Sequence, residues 1–211
     1  KNSNNLKQTA KVISLVLNPF VMPFLGVLLV FKFHDYFSIV YHQDFVNTFL
    51  IIGALLTIVF PLISIFVLYK SKMISDLYLS KKEERIIPII VTLSYYFAFY
   101  YIIRKPDGIS ETILAGYLGG CVALIISAFI TPRWKISLHA QGISSLAGMF
   151  IGITQATFVN QPEEIISIII CVGFLGTSRL ILHKHTTAQV LAGTVLGFTV
   201  PYLFVLNGWM I

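Results

Sequence analysis

The chain has 211 residues, 56% of them hydrophobic and only 11% charged, with a mean hydropathy of +0.84. A soluble domain carries about 25% charged residues, and a core of this length cannot bury so much apolar surface, so a water-soluble globule is excluded and lipid is the expected solvent. The formal net charge of +6 fits cytoplasmic loops or a site for anions. With no basic stripe interleaved with aromatics, it does not point to nucleic acid.

Residues 1–11 are a polar lead to the first apolar run, residues 12–33, which carries Pro19 and Pro23 near its start. That run is as long as a membrane span and has no small-residue cleavage site after it, so it reads as a span and not as a cleavable signal peptide. The second span, residues 45–68, is interrupted by Pro61. Lipid-embedded helices tolerate proline where neighbouring groups satisfy the freed carbonyl. The longest polar stretch, residues 69–85, follows, and then a Tyr-rich third span, residues 86–103. A turn with Pro106 and Gly108 leads to the fourth span, residues 111–130, whose Gly116, Gly119 and Gly120 permit close helix contact. A basic loop, residues 131–137, precedes the fifth span, residues 139–158. A shorter sixth span starts at Ile165, passes Gly176 and continues toward Leu182, and the seventh covers residues 190–206. The expectation is one all-α domain over residues 1–211, a polytopic membrane helix bundle of about six to seven transmembrane helices, each of roughly 20 residues. Cys121 and Cys171 lie inside apolar runs and read as small embedded side chains, not metal ligands.

Counting crossings places three polar clusters on one side: around Arg85, before His139, and from Gly176 to Gly193. The N-terminus and these loops hold every Lys and Arg except Lys32, Arg104 and Lys105. The positive-inside rule makes that side cytoplasmic. The asymmetry is smaller, but keeps its sign, if the cations near the clusters serve phosphate.

The last cluster contains Ser178-Arg179, five intervening residues, and His185. A loop or helix end between them would bring both to one point. Arg presents a planar fork of donors that suits phosphate oxygens, and neutral imidazole is a nucleophile or proton carrier near pH 7. Gln189, four residues after His185, would share its face on a helix and set its tautomer. The same stretch also reads as an interfacial basic loop that holds lipid head groups. In the second cluster, Ser137 and His139 open a helix, where N–H groups favour an anion. Ser137 would cap that helix or donate to a phosphate. The third cluster, Ser80-Lys81-Lys82-Glu83-Glu84-Arg85, is the densest charge run, and Arg85 adjoins a span.

Together these clusters resemble the type 2 phosphatidic acid phosphatase superfamily of membrane lipid phosphatases. Its motifs are Lys-x6-Arg-Pro, Pro-Ser-Gly-His and Ser-Arg-x5-His-x3-Asp, in that order. Ser178, Arg179 and His185 match the third, with Gln189 where the family has Asp. Ser137 and His139 match the second, with Ile136 for Pro and Leu138 for Gly. In the first, Arg85 is followed by Ile86, Pro88 comes later, and Lys81 or Lys82 sits closer than the family's spacing.

The resemblance implies a metal-independent phosphatase or diphosphatase, without cofactor, acting on a phosphorylated lipid such as an isoprenyl diphosphate or a phosphatidic acid-like lipid. His185 would form a phosphohistidine and His139 would protonate the leaving group. Gln189 would orient His185. Arg85, Lys81, Lys82, Ser137 and Arg179, with Ser178 and Leu138 at motif positions, would bind phosphate. The expected location is a bacterial inner (cytoplasmic) membrane, with the oligomeric state open. Gln189 also admits a second expectation, a catalytically impaired phosphate-lipid binder or transporter that keeps the fold. An Asp-to-amide change in a serine-protease triad costs about 10⁴ in rate.

Overall fold

Every regular element among the described residues, 2–77, 79, 81, 83–104 and 109–208, is helical in the computed structural model. α1 (Asn2–Val16), α2 (Met22–Phe33) and a short α3 (Asp35–Val40) come first. α4 (Gln43–Ala54) and α5 (Phe60–Lys70) join through a π-helical turn, Leu55–Val59. A 3-10 turn, Glu83–Arg85, opens α6 (Ile86–Arg104), and α7 (Glu111–Ile130), α8 (Leu138–Ala156), α9 (Pro162–Ile181) and α10 (Thr187–Leu206) complete the described chain.

Gln43–Lys70, Glu83–Arg104, Glu111–Ile130, Pro162–Ile181 and Thr187–Leu206 are long and apolar enough to cross a bilayer. Their outward faces expose Ile63, Phe66, Val67, Ile169, Phe174 and Val195. A soluble monomer does not carry apolar surface of this extent, so the chain is an all-α membrane bundle.

The first apolar run departs from expectation. It is not one span over residues 12–33: α1 ends at Val16 and α2 starts at Met22. Pro19 and Pro23 lack the N–H a continuous helix needs there, and a residue before proline is pushed out of the α region. The Asn18 side chain accepts the Phe20 N–H at 3.1 Å and secures the elbow. α1 keeps Lys7 and Lys11 exposed and buries Ala10 and Ser14, one turn apart. Pro61 is accommodated differently. The π turn just before it, in which Phe60 N–H reaches Leu55 O, lets the helix run on through the proline. The sixth span is longer than expected because α9 starts at Pro162 and not at Ile165; at its other end it runs through Ser178 and Arg179 to Ile181, as expected. Ser178 Oγ donates back to Phe174 O at 2.7 Å, so its hydroxyl adds no unpaired group to the helix.

α8 lies at the centre and touches α2, α7, α9 and α10. Its contact with α10 is made by backbone. A Cβ on Gly193 would lie 2.5 Å from Ser137 O. A Cβ on Gly197 would strike Gln141 O, and one on Gly148 would strike Phe198 O. Small residues spaced by four let helices in lipid approach this closely, with van der Waals contact as the driving force. Gly119 of α7 gives the same closeness to Pro201 inside α10, where a Cβ would come to 2.6 Å. Polar clasps fix the neighbours: Ser127 Oγ donates to Gln141 Oε1 at 2.6 Å between α7 and α8. At the opposite end Gln161 Nε2 donates to Phe33 O at 2.7 Å.

Substituting Gly197 by Leu should force α8 and α10 apart and lower stability by about 1–3 kcal/mol or more, the usual cost of overpacking. Gly173→Ala, whose Cβ meets nothing within 4 Å, should be neutral or stabilising by about 0.5–1 kcal/mol. Thermal unfolding in detergent should separate the two; a Gly197→Leu variant as stable as the parent would refute the backbone contact.

Candidate functional site

The glycine contact sets the N-terminus of α10 beside the loop that enters α8. Ser137 N–H donates to Gln189 O at 3.2 Å across that junction. α8 begins with Ser137 as N-cap, its Oγ accepting Ala140 N–H at 3.3 Å. α9 ends in a Schellman turn: Lys184 N–H reaches Arg179 O at 3.1 Å and His183 N–H reaches Leu180 O at 2.9 Å. His183 takes the left-handed position of this turn, with φ of +50°. α10 then starts from a capping box, with Thr186 Oγ1 accepting Gln189 N–H at 3.4 Å and Gln189 Oε1 accepting Thr186 N–H at 3.1 Å. Between the turn and the cap, His185 folds back toward the protein and is 9% exposed.

His185 Nδ1 lies 3.2 Å from the Lys135 carbonyl oxygen. A carbonyl only accepts, so Nδ1 carries the proton and Nε2 presents its lone pair. Burial first, and then the charge of Arg179, push the His185 imidazole down from 6.5 to about 4. It is therefore neutral at ordinary pH.

Arg85, Lys135, Arg179, His139 and His185 lie within electrostatic reach of one another. Arg85 enters from the 3-10 turn, is buried, and donates Nε to Leu79 O at 2.8 Å. Arg179 brings a buried Nε–H that has no partner among the described residues. Lys135 is half-buried, and burial followed by the charges of Arg85, Lys184 and Arg179 pushes its ammonium down from 10.5. The ring of His139 faces the backbone carbonyl of Ser14 at the end of α1. Asp76 is the carboxylate that acts against Arg85 and Lys135. A cluster of this composition, with an unpaired guanidinium N–H, presents donors of the kind that suit an anion.

Not every residue singled out in the sequence joins it. Lys81 is exposed and pairs with Glu84 at 3.2 Å, a carboxylate that also accepts Ser75 N–H and Oγ–H at 2.6 and 2.8 Å. Lys82 lies outside the described residues. The Ser178 hydroxyl is spent on Phe174 O. Ser137 is used as the helix cap. Leu138 turns to an apolar cavity, not to the polar cluster. Gln189 does not orient His185: its oxygen closes the capping box. The expected i,i+4 stacking requires both residues on one helix, and α10 begins only at Thr187.

Two participants escaped the sequence reading. Lys135 acts through its backbone carbonyl as well as its side chain, and Ser14 acts only through its carbonyl. Side-chain patterns carry no signal for a backbone acceptor. The Lys135 side chain, between Arg133 and Ser137 in a basic loop, could have been singled out by its charge.

The unfolded chain protonates His185 near 6.5 and the folded chain only near 4. Stability from this group is thus complete above 6.5 and is lost as pH falls toward 4. The acid limb of a thermal-stability profile should be shallower in His185→Gln than in the parent, and an unchanged limb would rule out buried neutral imidazole. Arg179→Met should raise the pH at which His185 protonates. Comparison of the chain with family models, with characterised proteins and with solved structures gives no match, so any functional reading rests on the site itself.

Proposed function

We propose that the chain is a membrane lipid phosphatase or diphosphatase that works through a phosphohistidine. The observation that carries this reading is the buried, partnerless Nε–H of Arg179 beside a neutral His185 whose Nδ1 is committed to the Lys135 carbonyl. Arg85, Arg179 and Lys135 would hold the phosphoryl oxygens and offset the charge that develops on them. His185 Nε2 would attack phosphorus, forming an N–P bond as the P–O bond to the lipid breaks. His139 would give its proton to the departing oxygen. Water would then attack the phosphorus, its proton passing to His139, and the N–P bond would break to release phosphate. The negative charge of the bound phosphate favours a proton on His139 before the first step. Location in a bacterial inner membrane belongs to the same proposal, and the loop charges support placing the site on the cytoplasmic side.

Purified protein in lipid nanodiscs should release phosphate from an isoprenyl diphosphate or phosphatidic acid. His185→Ala should remove that activity by at least about 10³, the scale on which loss of a catalytic nucleophile is felt, and full activity in this variant would overturn the mechanism. Parent protein quenched in alkali, where the N–P bond of a phosphohistidine survives, should carry phosphate on His185.

One observation favours a second reading, a phosphate-lipid binder of low turnover. The acceptor on His185 Nδ1 is a neutral carbonyl, which orients the ring but supplies no charge to an imidazolium. On this reading the parent protein binds lipid phosphate through Arg85 and Arg179 without releasing inorganic phosphate. Rapid turnover by the parent excludes it.

A further inference from the structure

Below the cation cluster lies an apolar cavity of about 120 Å³ between α2, α6, α7 and α8. Its upper wall holds Leu79, whose carbonyl takes the Arg85 Nε–H at 2.8 Å, and Leu138, the residue before His139. Its lower wall holds Tyr96, Tyr117 and Met149. Leu138 and Met149 are eleven residues apart on α8, roughly 16 Å along the helix at about 1.5 Å per residue. The cavity therefore runs from the cations toward the interior of the bundle. Its lining is almost wholly hydrocarbon and aromatic, and the Tyr117 hydroxyl beside it is buried without a partner. Gly120 of α7 forms part of the wall, and a Cβ there would meet nothing within 4 Å.

We propose that this cavity takes one hydrocarbon chain of the lipid whose phosphate the cluster holds. The inference rests on the reading of the cluster as a lipid-phosphate site. A phosphate beside Arg85 and Arg179 and a chain passing Leu79 and Leu138 are continuous, so one molecule satisfies the orphaned charge and the empty apolar volume together. The slot is partly open at half-buried Pro19, Gly120 and Leu124, so a chain can enter it from the side of the bundle. Met149 and Met22, flexible thioethers in its wall, can adjust to the chain's shape.

The test uses the full chain in nanodiscs with a farnesyl monophosphate analogue that carries a diazirine at the end of its chain. Irradiation should label Tyr96, Tyr117 or Met149. Gly120→Phe, and independently Gly120→Leu, should reduce that labelling by about tenfold, the effect of roughly 1.4 kcal/mol of lost binding. Gly120→Ala should retain it, since a methyl group has room. Label confined to outward-facing residues such as Ile63 and Phe66, or unchanged by filling the slot, overturns the proposal. Labelling of the slot without phosphate release leaves the slot standing and removes the phosphatase reading. Phosphate release with the label only on outward faces does the reverse.

Discussion

The site depends on a contact between two backbones. α8 and α10 meet where Gly193 lies over Ser137 O and Gly197 over Gln141 O, with no side chain between them. That distance decides how near the start of α10 comes to the loop entering α8, and so whether Lys135 O can reach His185. Packing in lipid gains little from hydrophobicity, because the lipid is as apolar as leucine. Dispersion over a closely fitted surface has to supply the attraction, and glycine allows the closest fit. The hydrogen bond from Ser137 to Gln189 O adds a fixed register to that contact.

Upon this frame the chemistry is set by an imbalance of charge. Two arginines and a lysine converge with two imidazoles in a half-buried space, and Asp76 is the carboxylate opposing them. Loss of water first, and then the charge of Arg179, hold His185 neutral. The tautomer is then settled by a backbone oxygen. A carboxylate in that place would bind a proton in competition and would cancel part of the field felt by an anion. A carbonyl does neither, which favours anion affinity over stabilisation of a charged ring.

Much of this architecture was legible in the sequence. α6 and α7 begin where their apolar runs begin, at Ile86 and Glu111, because hydrophobic length alone determines such elements. Two helices separate each cluster from the next, α6 with α7 and α8 with α9, and of these α6, α7 and α9 are long and apolar enough to cross a bilayer. The errors have local causes. Two prolines at Pro19 and Pro23 break a run that hydropathy alone joins. Gln189 was assigned by helical spacing from a residue that the Schellman turn and the Thr186 cap leave outside any helix. Lys135 O and Ser14 O contribute through atoms that every residue possesses, so no pattern of side chains marks them.

The elbow at Pro19 has a practical consequence for handling the protein. Because α1 stops at Val16, its last turn sets Ser14 O against His139. A label placed on α1, at exposed Lys7 or Lys11, therefore sits on a segment that reaches the site, whereas one at the Leu206 end of α10 lies a full helix away from His185.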